Sequence, residues 1–213
     1  MNRTLTVRCE GARSKAARGD HGFSLVELLI VVAIVLVICS ASLMAINSVL
    51  KSSRADYALQ IALGQIRQVH QRAIDERRVY RLTFSTPGNI RTDRMDFSGG
   101  VWTPSFIDSI NLPTDMQFTV VSGTPTTTTP NGFGSASNAI DLSVNNTSGA
   151  TQMLFQADGR VLDSVNRVAN GIVYLARPAD LASSRAVTIF GSTGRVKGWK
   201  LFTSGSNKYW GQP

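Results

Sequence analysis

The sequence is poor in residues that would give it chemistry of its own. Its 213 residues include two histidines, His21 and His70, and two cysteines, Cys9 and Cys39. No His/Cys set has metal-ligand spacing, no Gly-x-Ser-x-Gly elbow presents a nucleophile, and no phosphate loop is present. Asp93 and Asp96, close to Gly99-Gly100, are within reach of a cation but too few for a calcium loop. An enzyme is therefore not expected, nor a metal or other cofactor. Cys9 lies in a basic leader and Cys39 in an apolar run, so no disulfide is expected and the rest of the chain must cohere by packing. Proline is absent before Pro87, and Gly64 is the only glycine between residues 23 and 87. Nothing in that stretch breaks a helix.

What is present begins with charge. The formal net charge is +8. Residues 1–22 hold five basic groups (Arg3, Arg8, Arg13, Lys15, Arg18) against Glu10 and Asp20, and without them the remainder is +5. That surplus suits anionic partners, and equally a solvated basic surface. Residues 1–22 show no apolar periodicity and read as an address. From Leu28 to Cys39 every residue is apolar, and the character continues to Ile46 with only Ser40 and Ser42 interrupting. As a helix, residues 23–46 would span roughly 36 Å, enough for a bilayer core of about 30 Å. The basic leader would stay cytoplasmic and the C-terminal part would lie outside. Glu27 is the exception within the run. An intramembrane carboxylate costs about 2.5–3.5 kcal/mol, so Glu27 either sits at headgroup level or waits for a positive partner.

Three export devices use such a run. An ordinary signal peptide would be cut near Ser40-Ala41-Ser42, which Glu27 and the 22-residue leader disfavour. A lipoprotein signal would be cut before Cys39, but Ile38 stands where a small residue is wanted. The third device fits best. Gly22-Phe23-Ser24-Leu25-Val26-Glu27 followed by an apolar helix resembles the signal of type IV prepilins and type II secretion pseudopilins, with His21 before Gly22 in place of Lys or Arg. The resemblance implies cleavage between Gly22 and Phe23 by a prepilin peptidase and N-methylation of Phe23. It also implies that Glu27 neutralises the amino terminus of a neighbouring subunit in a filament. Opposite charges are tolerated together in an apolar phase where either alone is not.

Beyond the run, Ala55, Leu59, Ala62, Ile66, Val69 and Ala73 form an apolar stripe at helical spacing, opposite Gln60, Gly64, Arg67, Gln68, Gln71, Arg72 and Asp75. A helix to about residue 78 is expected, roughly 84 Å long from residue 23. Arg67, Arg72, Arg77, Arg78 and Arg81 read as its solvated face and exit. Strands are expected at Val79–Phe84, Met116–Val121, Ala139–Val144, Gln152–Gln156, Gly171–Ala176, Ala186–Phe190 and Val196–Phe202, with residues 123–132 as a loop. Asn146-Thr147-Ser148 has the form of a glycosylation sequon, a weak pattern by itself. The expected fold is α+β: a leader (1–22), a transmembrane helix half (23–46), an amphipathic half (47–78) and an antiparallel β domain (79–213) packed on it.

One internal echo refines this. Phe155-Gln-Ala-Asp-Gly159-Arg160-Val161 parallels Phe190-Gly-Ser-Thr-Gly194-Arg195-Val196, each reading as strand, tight turn, strand. The long helix, the strand after it and these turns resemble the GspH/FimT family, the H-type pseudopilins of type II secretion and related minor pilins. That resemblance implies a pilin-like structural subunit at the bacterial inner membrane, single-pass with a periplasmic C-terminal domain. Its partners would be prepilin peptidase and other pilins or pseudopilins. Some members bind DNA through a Gly-Arg-x-Arg motif, which Gly194-Arg195-Val196-Lys197 matches except at its last position. Lysine there keeps the charge and loses the planar fork. Arg195 and Lys197, with Lys200 near them, are thus candidate DNA contacts, and Trp199, Tyr209 and Trp210 candidate stacking groups. On the alternative reading the hairpin is structural and Trp199 is core. The expected function is a minor pilin or pseudopilin subunit of a type IV pilus or type II secretion filament; the alternatives are a DNA-capturing minor pilin and a pseudopilin contacting secreted protein.

Overall fold

The structure, a computed structural model, describes residues 24–146 and 149–213, with the side chains of 41–48 left out. Gly22 and Phe23 lie outside the described residues, as do the leader and Thr147 and Ser148 of the sequon. The chain falls into two units, dividing between Ala45 and Ile46. Helix α1, Leu25–Asp75, begins in the first and ends in the second. In the first unit the apolar side chains from Leu25 to Ile38 are exposed on every face of the helix. Among the described residues no helix is long and apolar enough to cross a membrane, the described side chains of the run ending at Ser40.

The second unit is α+β. After α1 come β1 (Val79–Ser85), β2 (Asn89–Ser98), β3 (Val101–Asn111), β4 (Ile140–Asp141), β5 (Gln152–Phe155), β6 (Val161–Leu162), β7 (Gly171–Arg177), β8 (Asp180–Ile189), β9 (Val196–Ser204) and β10 (Asn207–Gly211). They form two antiparallel sheets, ordered β3-β2-β1-β5-β6 and β10-β9-β8-β7-β4. All six residues of the expected stripe, Ala55 to Ala73, are buried, and they share one core with Tyr80, Leu82 and Phe84 of β1 and Val187 and Ile189 of β8. The helix therefore lies over both sheets. Small residues let it approach closely: a Cβ on Gly198 of β9 would fall 2.9 Å from Leu63 Cδ1. Arg185 of β8 is fully buried beneath the helix, where its Nε donates to Asp56 Oδ1 at 2.7 Å.

The two sheets differ in how they are covered. Strand β7 is buried on both faces. The segment between β3 and β4 covers the second face of its sheet: Val120, Phe133 and Ala136 pack with Ile172, Tyr174, Trp199 and Trp210. Strand β1 alternates buried and half-buried residues, so the first sheet is closed on the helix side alone.

Several strands depart from expectation. Met116–Val121 is not a strand; only Gln117 bridges to Ala176, while Met116 and Phe118 sink into the main core and Val120 joins the cover just described. The expected strand 139–144 shrinks to Ile140–Asp141. The long β2–β3 hairpin was not anticipated. It turns through Gly99 and Gly100, both at positive φ (62° and 83°), the conformation of a tight two-residue hairpin loop. Its pattern was obscured because β2 carries alternating charges in place of apolar residues. Asp93, fully buried, accepts from Arg81 Nη2 and Arg91 Nε, both at 2.8 Å. Asp96 accepts from Arg94 and Arg78, and the Arg94 hydrogen bond holds its carboxyl below the usual carboxylate range. These carboxylates pair with arginines; among the described residues no His/Cys/Asp/Glu group is arranged for a metal.

Removing the Asp93 carboxylate leaves two guanidiniums facing each other. Asp93→Ala is expected to cost about 2–3 kcal/mol, less than a fully enclosed pair because both arginines reach solvent; chemical denaturation of the purified protein measures it. Acid should act through Asp163, whose carboxyl is nearly buried. Burial raises its pKa, but the Arg167 and Val165 N–H groups and the Arg167 guanidinium outweigh that and lower it. Its stabilisation is therefore complete above the ordinary carboxylate range and fades as pH falls through the lowered value. Asp163→Asn should flatten that acid limb of a stability–pH profile.

Candidate functional site

At the amino-terminal end, Ser24 O accepts from Leu28 N at 3.1 Å, so Ser24 caps α1 and Glu27 lies in its first turn. Ser24-Leu25-Val26-Glu27 has the spacing of a capping box, a local signal that sequence reading passed over. A carboxylate there is favoured by the helix dipole. Glu27 is exposed, and so are the apolar residues around it, Leu25, Val26, Leu28 and Leu29. An anion at the head of a helix with no polar face makes a surface suited to an apolar phase plus one positive charge.

At the other end of the chain, the two Phe-x-x-x-Gly-Arg turns form as expected. Gly194 N donates to Phe190 O at 2.8 Å, Gly159 N to Gln156 O at 3.0 Å, and both glycines hold positive φ (64° and 84°). The turns belong to different sheets yet meet on one side chain. His70 of α1 makes a 3.0 Å hydrogen bond through Nε2 to Gly159 O and packs against Phe155, with ring centroids 6.1 Å apart. A Cβ on Gly194 would fall 2.2 Å from the same Nε2. His70 is therefore a wedge between the turns; it excludes a side chain at Gly194, whereas at Gly159, where a Cβ would lie 3.5 Å from Nε2, the positive φ is what favours glycine.

The candidate basic residues separate. Arg195 is exposed, its backbone N–H donating to Thr193 Oγ1 at 3.3 Å. Lys197 Nζ stands 5.6 Å above the Phe190 ring and 5.8 Å above Trp199. Lys200 points to the opposite face, 3.8 Å from Asp56 and 5.9 Å above Phe202. Trp199 donates to Thr188 Oγ1 at 2.9 Å and packs in the second core. Tyr209 is exposed and stacked on Phe202, while Trp210 is half-buried beside Tyr174. Arg67 of α1, read from sequence as solvated face, lines one shallow depression with Lys197. That pairing joins residues 130 apart in the chain, and no local pattern announces it.

A methyl group at residue 194 has no room. Gly194→Ala is expected to destabilise by about 2–3 kcal/mol through overpacking and strain at positive φ. Adding His70→Ala should recover part of that loss, giving a non-additive double-mutant cycle in urea denaturation.

Comparison with known proteins gives a match at one end. Residues 17–43 match the family described as the prokaryotic N-terminal methylation motif. No curated protein matches the chain. Among solved structures, the chain is similar to the type IV minor pilin FimU of Pseudomonas aeruginosa, with 10% identity, TM-score 0.42, and coverage of 76% of this chain and 94% of that one. It is also similar to the minor pseudopilin EpsH of the Vibrio cholerae type 2 secretion system, with 10% identity, TM-score 0.44, and coverage of 69% and 97%. The segment that holds Gly22, Phe23 and Glu27 thus matches the prokaryotic N-terminal methylation motif.

Proposed function

We propose that this chain is a structural subunit, a minor pilin or pseudopilin of a type IV pilus or type II secretion filament. The observation that carries the reading is the methylation motif at residues 17–43, leading into a helix whose apolar residues from Leu25 to Ile38 are exposed on all sides. Such a helix requires lipid before assembly and other apolar helices after it. Prepilin peptidase cuts between Gly22 and Phe23 and methylates the new amine. Residues 23–46 hold the subunit in the inner membrane, and residues 79–213 lie on the periplasmic side. Glu27 then meets the amino terminus of a neighbouring subunit.

A second reading, DNA contact, is favoured by one observation: Arg67 joins Lys197 in a single depression close to exposed Arg195. On this reading the filament subunit also holds phosphates electrostatically. Lys200 contributes least, since Asp56 is its neighbour.

Gly22→Ala should leave the precursor uncut, read by intact mass; a product beginning at Phe23 would overturn the processing step. Glu27→Ala should be cut and inserted normally but enter filaments far less, because a neighbouring amino terminus is left unpaired in an apolar phase at a cost of a few kcal/mol. Undiminished incorporation would remove the pairing role. For DNA, the full chain in detergent should bind duplex with an affinity that falls steeply with salt and drops about tenfold in Arg195→Ala/Lys197→Ala. Equal binding by both proteins returns the hairpin to a structural role.

A further inference from the structure

The first sheet has an outer face that no described residue covers. Across it runs a depression of about 430 Å³ floored by Val79 of β1, Met95 of β2, Leu154 of β5 and Leu162 of β6, with Trp102 of β3 at its end. The apolar surface continues along the hairpin to Phe97 and Phe106, each more than half exposed. The second sheet resolves the same problem internally, since residues 120–136 lie across its outer face. Buried faces on both sides of one sheet and an open apolar face on the other mark the open one as a contact surface.

The charge in the depression says what it accepts. Arg81 is its one cation, and no acidic side chain lines it among the described residues. Nearby, Arg81 and Arg91 share the single carboxylate of buried Asp93, which leaves a surplus positive charge beside the apolar floor. The edge strand itself is blunted against strand addition. Pro104 lacks an N–H, and the β2–β3 register shifts between Thr92 and Asp93. Contact is therefore made by side chains on the face and not by extending the sheet. Two copies of this chain paired face to face would set Arg81 against Arg81, which disfavours a second copy.

We propose that the outer face of the first sheet docks an apolar segment of another protein that carries a carboxylate, with Arg81 receiving the charge and Trp102 covering one end. This surface is separate from the methylation segment and does not depend on the filament reading.

The probe is a short blocked peptide of alternating valine and threonine with a central glutamate, beside versions with glutamine or lysine there. Binding to the full chain in detergent is followed by anisotropy of a fluorophore on the peptide. The glutamate peptide should bind about tenfold tighter than the glutamine one, and the lysine peptide weakest. Trp102→Ala, at an exposed position, should weaken the glutamate and glutamine peptides alike. Gln152→Glu, which places an acid in the depression, should invert the order so that the lysine peptide binds best. That inversion is a readout which simple destabilisation cannot produce. Equal affinities for the three peptides, absence of binding, or an unchanged order in Gln152→Glu would overturn the proposal. So would a concentration-dependent dimer of the full chain abolished by Trp102→Glu, since a second copy would then be the occupant.

Discussion

The whole second unit rests on the narrow side of one helix. From Ala55 to Ala73 four of the eight buried apolar positions of α1 are alanine, and that smallness helps set how near two sheets can come. A helix stripe of larger residues would hold the strands away and leave the core with gaps, because protein interiors tolerate voids poorly. Gly198 of β9 is the complementary absence on the sheet side, where Leu59 and Leu63 need the space a side chain would occupy. With the backbones this close, Arg185 can be buried entirely and still reach Asp56 on the helix. Much of the remaining architecture, including the contact of two distant turns with His70, follows from that approach.

The helix stripe was legible because a period of three to four apolar residues is a local property of the chain. The Gly-Arg turns were legible for the same reason, since a tight turn is written in a few consecutive residues. What each was for was not legible. His70 reads as one histidine on an amphipathic helix until Gly159 and Gly194 are brought against it from different sheets. The β2–β3 hairpin escaped because its alternation is ionic: Arg91, Asp93, Arg94 and Asp96 satisfy each other and their neighbours across strands, and acids and arginines at such spacing suggest loop or ligand. Residues 116–121 misled in the opposite sense. Their apolar character was correctly seen, but it serves an irregular segment that puts Met116 and Phe118 into the main core and Val120 over Tyr174 and Trp199, and not a ladder.

The two ends of the chain solve different physical problems. The amino-terminal segment exposes apolar side chains around the whole helix and keeps a single carboxylate, so its state is decided by the medium it enters. The β-rich part is self-contained on one sheet and open on the other. Its arginines are mostly paired with carboxylates, one to one in Asp158 with Arg160 and Asp163 with Arg167. A high pI therefore overstates how much positive charge is offered to a partner. The cation that stands out is Arg195, on a turn held in place from beneath by a helix residue.

The wedge at His70 has a consequence for how the protein comes to be folded. Its hydrogen-bond partner at Gly159 is 89 residues further along the chain, and Gly194 is later still. The helix is made before the elements that close over it, which leave the ribosome after it. Contacts between residues so far apart form slowly, after the local hairpins have already paired. During that interval the alanine stripe and the apolar run beyond it lie bare together on one helix. The chain is then most exposed to capture by chaperones or by its own kind, and early burial of the run in lipid would shorten that risk at one end while the sheets assemble at the other.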